Sequence, residues 1–275
     1  MHYDLISQLG ALQSQLRACV PLIHNMTNYV TVNDVANAIL AIGASPIMAD
    51  DLEEAGDIAS ISNALVLNIG TLNQRTIASM LSAGQSANGK GIPIVFDPVG
   101  AGASRLRNET SEKMLNTLQF AVVRGNLSEL SYLSGLSSST KGVDASEADM
   151  AHDPALVARQ VALQYHCVAA VTGAVDVISN GTQMIEIHNG HPMLSKVTGT
   201  GCMTSALVGA YLGAGADPFL AAAAGILSMG IAGELAFETH GATGTGSFHI
   251  GIIDALSRLD GNMIQARAKA HVSEH

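Results

Sequence analysis

Apolar and polar positions along this chain follow two periods, and the switches between them outline a layered fold. In residues 31–42, Val32, Val35, Ala36, Ile39 and Leu40 recur at helical spacing. Thr31 is placed to cap that helix and Gly43 to end it. Apolar runs at 64–69, 92–96, 120–123 and 167–171 are too short for typical helices and several are rich in β-branched residues, so they predict buried strands. Segments 75–83, 111–118, 127–133 and 154–165 between them carry helical character. Strand and helix in alternation predict an α/β fold with a mainly parallel sheet covered on both faces by helices.

After Val171 the pattern changes. Segments 175–179 and 183–188 flank Asn180-Gly181, a strong hairpin signal, so an antiparallel pair is expected beside the parallel set. The last third turns helical, with apolar stretches at 201–212 and 218–236 broken at 213–217. Residues 218–237 approach the roughly 20 apolar residues that cross a bilayer. Their Ala and Gly richness and the internal Glu234 favour a helix buried in protein. The polar, Ser-rich, acidic segment 137–153 suits a surface connection, and with no repeat and no second composition regime a single domain over 1–275 is expected.

Composition narrows the function. Hydrophobic residues are 48% of the chain and Trp is absent, which supplies a large aliphatic core. Cys19, Cys167 and Cys202 are odd in number, show no CxxC pairing and follow no signal-like segment, the pattern of a reduced, cytoplasmic protein. A net charge of -10 with only 13 Lys and Arg excludes a nucleic-acid face. An anionic substrate must then be met locally, by backbone dipoles, a few basic side chains or a metal ion.

In open parallel sheets ligands collect beyond the carboxyl ends of the strands. Four runs end there in polar residues: Asn68-Ile69-Gly70-Thr71, Asp97-Pro98-Val99-Gly100, Arg124-Gly125-Asn126 with Glu129, and Thr172-Gly173. Asp97 can face a ligand or close a turn. Asn126 and Glu129, three apart at a helix start, suit Mg²⁺ and its waters, or a helix cap. Arg124 follows buried apolar residues, where a charge needs an anionic partner, either a phosphate or a structural ion pair. In Val197-Thr198-Gly199-Thr200-Gly201-Cys202, glycines before a long helix admit an anion to its amino terminus or simply permit tight packing. Cys202 stands where a thiol is readily activated, and small free cysteines also fill gaps. The Gly-rich stretch 241–246 reads as a flexible loop.

Taken in order, these residues resemble the hydroxyethylthiazole kinases of thiamine salvage, within the ribokinase-like superfamily. The matching motifs are His24-Asn25-Met26-Thr27-Asn28, Gly43-Ala44-Ser45-Pro46-Ile47-Met48, Asp97-Pro98-Val99, Arg124-Gly125-Asn126 with Glu129, Val171-Thr172-Gly173, Val197 to Cys202, and Gly246-Ser247-Phe248. The resemblance implies a three-layer α/β/α sandwich with a mostly parallel central sheet and no lid. It implies a homotrimer with active sites between subunits, and a Mg²⁺- and ATP-dependent phosphorylation of a thiazole alcohol.

The resemblance also implies residue roles. Met48 and Gly199 bind the thiazole with Asn25 and Asn28 nearby. Arg124 and Thr172 contact ATP, with Asn126, Thr200 and Gly201 beside them, and Asp97 and Glu129 serve the metal and its waters. Cys202 takes the place of the Asp that most ribokinase-like enzymes use as base. A nucleotide-dependent dehydratase of hydrated nicotinamide cofactors and a non-catalytic thiazole- or nucleotide-binding module are the alternatives. The residues after Leu259 match no functional motif.

Overall fold

In the computed structural model, which describes residues 2–136 and 153–274, the alternating runs form one nine-stranded sheet. The strands are β1 (Leu22–Met26), β2 (Ser45–Ile47), β3 (Ala64–Asn68), β4 (Ile94–Asp97), β5 (Val122–Asn126), β6 (Val168–Thr172), β7 (Asp176–Ser179), β8 (Gln183–Ile187) and β9 (Ala270–Glu274). They lie in the order β2-β1-β3-β4-β5-β6-β7-β8-β9. The first six are parallel. The last three add antiparallel. Every strand among the described residues belongs to this sheet, so none of them builds a separate lid.

Helices cover both faces. One face carries α1 (His2–Cys19), α2 (Val32–Ile42), α8 (Thr200–Gly213), α9 (Pro218–His240), α10 (Thr245–Arg258) and α11 (Gly261–Arg267). The other carries α3 (Ala55–Ile61), α4 (Gln74–Gly89), α5 (Arg105–Thr117), α6 (Leu127–Leu133) and α7 (Pro154–Tyr165). This is the expected three-layer arrangement with a mostly parallel sheet.

Helix α9 is apolar on every side because it lies within a core. It is long and apolar enough to cross a membrane, yet 83% of its most apolar stretch is buried inside the protein. Gly225 lets it press on α8, for a Cβ there would meet the Val208 backbone nitrogen at 2.6 Å.

Local signals in the sequence held in part. Gly43 ends α2 in the left-handed region (φ 107°), its N–H closing on the Ile39 and Leu40 carbonyls. The β7–β8 turn is held by Asn180, whose side-chain oxygen accepts from the amides of Thr182 and Gln183.

Three expectations are corrected. Thr31 occupies the cap position of α2, but its hydroxyl is buried and makes no capping bond. Helix α5 begins earlier than the periodicity suggests, because the Ser104 side chain accepts from Arg107 N–H. The 241–246 stretch is loop only through Gly244, since Thr245 and Gly246 already lie in the first turn of α10. The segment expected as a surface connection at 137–153 falls outside the described residues, except for Asp153, which caps α7.

Candidate active site

Parallel strands bring their carboxyl ends to one edge, and the four polar run-ends meet there. Asn68 ends β3, Asp97 ends β4, Asn126 ends β5 and Thr172 ends β6. The loops that follow are fixed by two side chains. Arg107 donates to the carbonyls of Ile69 and Gly70, each at 2.7 Å, and to that of Val99, tying the loops after β3 and β4 together. Glu129 accepts from Gly100 N–H through Oε1 and from Asn126 N–H through Oε2, both at 2.8 Å. Asn126 returns a bond to Glu129 N–H, so the pair forms a capping box at the start of α6.

Asp97 is 1% exposed. Its Oδ2 accepts from Asn68 Nδ2 and from Ser205 Oγ, both at 2.8 Å, and faces Arg124 Nη1 at 3.7 Å. Its Oδ1 is buried without a partner. Burial pushes the carboxyl up to about 6, and neighbouring Glu129 adds to this, against the opposing pull of Arg124, Ser205 and Asn68.

Arg124 also donates from Nη2 to Thr172 Oγ1 at 2.6 Å, which in turn donates to the Gly125 carbonyl. The structural ion pair is therefore present. One atom remains unused: Arg124 Nε is buried without a partner.

Helix α8 enters this edge from Gly199, whose left-handed backbone (φ 87°) requires glycine. A Cβ there would also meet Thr31 Cγ2 at 2.9 Å. Gly201 passes beside Arg124, where a Cβ would stand 3.0 Å from Nη1. The first-turn amides of this 14-residue helix have no intrahelical acceptors, the arrangement that suits an anion.

The sulfur of Cys202, in the same turn, receives Asn28 Nδ2 and Asn68 Nδ2, each at 3.3 Å. Burial pushes the thiol up and the charge of Asp97 pushes it further, while the polar side chains of Thr31, Asn28 and Asn68 oppose this. Thr31 Oγ1 itself completes no hydrogen bond.

The sequence candidates thus converge unequally. Cys202, Asn28 and Asp97 are hydrogen-bonded through Asn68, and the Asp97–Arg124 ion pair extends this chain to Arg124 and Thr172. Asn25 is nearly fully buried on neighbouring β1, where Nδ2 bonds the Ile23 carbonyl and Oδ1 is unpartnered. Met48 lies just past β2 and packs partly against the core. Thr200 donates its hydroxyl to the Leu194 carbonyl at 3.2 Å.

Beside this chain opens a cavity of about 510 Å³, a size typical of small-molecule sites. Arg124, Thr172, Thr200 and Gly201 line its polar end, and Leu194, Ile226 and Met229 give it apolar walls. Asp176 and the 189–195 segment complete it, and sequence reading missed both. The start of the first hairpin strand was the one available signal for Asp176.

Among the described residues no cluster of three or more His, Cys, Asp or Glu is placed to hold a metal unaided. The unpartnered Oδ1 of Asp97 still suits Mg²⁺, an ion that keeps several waters and takes few protein ligands.

The fold and the edge are those of a ribokinase-like small-molecule kinase. The fold is shared with the pyridoxal kinase from Staphylococcus aureus, solved in complex with AMP-PCP and pyridoxal, at TM-score 0.62 and 14% identity over 92% of this chain and 98% of that one. The hydroxyethylthiazole kinase family model matches residues 13–262, and the chain belongs to that family. The hydroxyethylthiazole kinase of Ruminiclostridium cellulolyticum is 61% identical over 267 residues, covering 97% of this chain and 98% of its own. The solved hydroxyethylthiazole kinase of Pyrococcus horikoshii OT3 superposes at TM-score 0.88 with 39% identity, over 97% and 99% of the two chains. The full-length family match favours the kinase over the alternatives; a solved nucleotide-dependent dehydratase from Bacillus subtilis shares the fold alone, at TM-score 0.58 and 15% identity.

Proposed function

We propose that this kinase transfers the γ-phosphoryl group of ATP to the primary hydroxyl of 4-methyl-5-(2-hydroxyethyl)thiazole, yielding the thiazole phosphate and ADP in thiamine salvage. The observation that carries the reading is the first turn of α8. Gly201 lines the cavity with Arg124 on one side, and the next residue, Cys202, meets the Asn28 and Asn68 amides on the other.

ATP lies in the cavity with its base toward Ile226 and Met229 and its phosphates toward Arg124, Thr172, Asn126 and the amides of Thr200 and Gly201. The thiazole lies by Gly199, Asn25, Asn28 and Met48. The alcohol oxygen forms a bond to the γ-phosphorus as the bridging bond to the β-phosphate breaks, and Cys202 guides its proton, accepting it only in the thiolate form that burial and Asp97 oppose and that the Asn28 and Asn68 amides favour. Such transfer depends mostly on positioning and charge neutralisation, so Arg124 and the helix amides carry more of the rate than the thiol. Asp97 and Glu129 would hold Mg²⁺ through its waters, and the ion supplies further charge neutralisation at the phosphates.

The chain acts as a single kinase domain in the cytoplasm. It assembles as a homotrimer whose sites lie between subunits. Tyr29 and Val30, 80% and 56% exposed directly after Asn28, support this, since a neighbour would cover them.

Purified protein incubated with ATP, Mg²⁺ and the thiazole alcohol is expected to give thiazole phosphate and ADP in equal amounts by mass spectrometry. ADP without thiazole phosphate would overturn the substrate assignment. Light scattering tests the trimer, and a monomeric mass at assay concentration would remove it.

A further inference from the structure

We infer that Asn68 is a positioning residue for phosphoryl transfer: one side-chain amide, locked in orientation, holds the Cys202 sulfur and the Asp97 carboxylate in fixed relation. The inference rests on the proposed proton-handling role of Cys202.

Asn68 closes β3, is 2% exposed and uses its whole side chain. Its Oδ1 accepts from the backbone N–H of Gly70 at 2.9 Å and from Asn28 Nδ2 at 3.0 Å. Its Nδ2 donates to Asp97 Oδ2 at 2.8 Å and reaches Cys202 Sγ at 3.3 Å. Gly70 N–H is a donor only, and ionised Asp97 an acceptor only, so a flipped amide would set donor on donor and acceptor on acceptor. The orientation is therefore fixed at every pH by the Gly70 N–H, and additionally by Asp97 wherever that carboxylate is ionised.

Two consequences follow for the sulfur. It receives N–H groups from both Asn68 and Asn28, so neither amide competes as acceptor for a proton bound on sulfur. The same two donors stabilise a sulfur lone pair facing them, offsetting the nearby carboxylate. Ser205 Oγ, one helical turn beyond Cys202, holds Asp97 from the α8 side at 2.8 Å. The end of β3, the end of β4 and the start of α8 are thereby joined through polar side chains alone.

The test uses the full-length enzyme with Asn68→Ala and Asn68→Asp, alone and with Cys202→Ala. Asn68→Asp is nearly isosteric and keeps an acceptor for Gly70 and Asn28, so it remains informative should Asn68→Ala fail to fold. It offers at most one proton where the amide offers two. Alkylation of Cys202 by iodoacetamide at fixed pH, followed by mass on its own peptide because Cys19 is also exposed, is expected to slow at least threefold in Asn68→Asp. In both variants kcat falls at least tenfold while KM for both substrates stays within threefold. In the Cys202→Ala background the same Asn68 change costs less than threefold.

Wild-type alkylation of Asn68→Asp, or an equal kcat loss with and without Cys202, would overturn the inference. A wild-type kcat in Cys202→Ala alone would instead remove the thiol from the reaction, and the alkylation result would still report whether Asn68 governs the sulfur.

Discussion

Arg124 and Asp97 face each other at 3.7 Å across the ends of adjacent strands β5 and β4, with side chains only 12% and 1% exposed. Because the guanidinium also holds Thr172 through a second nitrogen, the fork and not merely the charge is used. Arg124→Lys is expected to raise KM for ATP about tenfold. Arg124→Ala, which leaves Asp97 buried without its cation, is expected to lower kcat by about a hundredfold as well. Steady-state kinetics separate the two, and a lysine variant with wild-type KM would show that charge alone suffices.

The same carboxylate predicts a pH dependence of stability. Its folded-state value, raised to about 6 by burial, lies above the ordinary one, so the folded protein keeps a proton that the unfolded chain has lost. This contribution to stability is present at low pH and is lost as pH rises from about 4 to about 6, amounting to at most about 3 kcal/mol. Asp176, also raised to about 6 by burial, adds a slope of the same sign. Asp97→Asn is expected to raise the melting temperature at pH 8 by a few degrees, to flatten the decline between pH 4 and 6, and to remove nearly all activity. Thermal melts across that range check the sign, and a lower melting temperature at pH 8 would contradict it.

For the thiol, Cys202→Ala is expected to lower kcat by roughly 10²–10⁴, the range for a lost proton acceptor, with KM little changed. Cys202→Asp is expected to remain active, since a carboxylate there can accept the same proton. A folded but wholly inactive Asp variant would count against proton handling at this position.

At Gly225 the expectation concerns stability alone. An Ala side chain would press on the Val208 backbone of α8, which cannot rotate away. Gly225→Ala is expected to cost about 1–3 kcal/mol and to lower the melting temperature by roughly 3–10 °C. Activity per folded molecule should persist at low temperature.

What could be read from the sequence divides along physical lines. Strands β3 to β6 and the hairpin were legible because each is a short apolar run ended by polar or turn residues, and their alternation with helices implied a mainly parallel sheet. Strand β1 was not, because its inward positions include His24 and Asn25, polar residues whose burial no periodicity reveals. Strand β2 is three residues long.

In the site, Arg124, Asp97 and Cys202 could be singled out because each is chemically conspicuous where it stands. Asn68 appeared only as the end of a run. Its importance lies in four hydrogen bonds, and three of the partners, 29 to 134 positions away, come within reach only after the strands assemble. The cavity wall from 189 to 195 was hidden for a similar reason, being an irregular stretch and the 3-10 turn from Pro192, both brought in by the antiparallel extension.

Strand β9, formed by residues that match no functional motif, pairs with β8 along five positions and gives the sheet its far boundary. Sheet edges invite pairing with other chains, and here the boundary at one end is only the short β2. The carboxy-terminal residues therefore satisfy the backbone of β8, from Gln183 to Ile187, and move the open edge one strand outward, so that β8 with its fully buried Ile185 and Ile187 is not the edge. Removing them should leave catalysis at the distant β3–β6 ends intact while making the protein prone to self-association, so solubility and activity would be lost independently of one another.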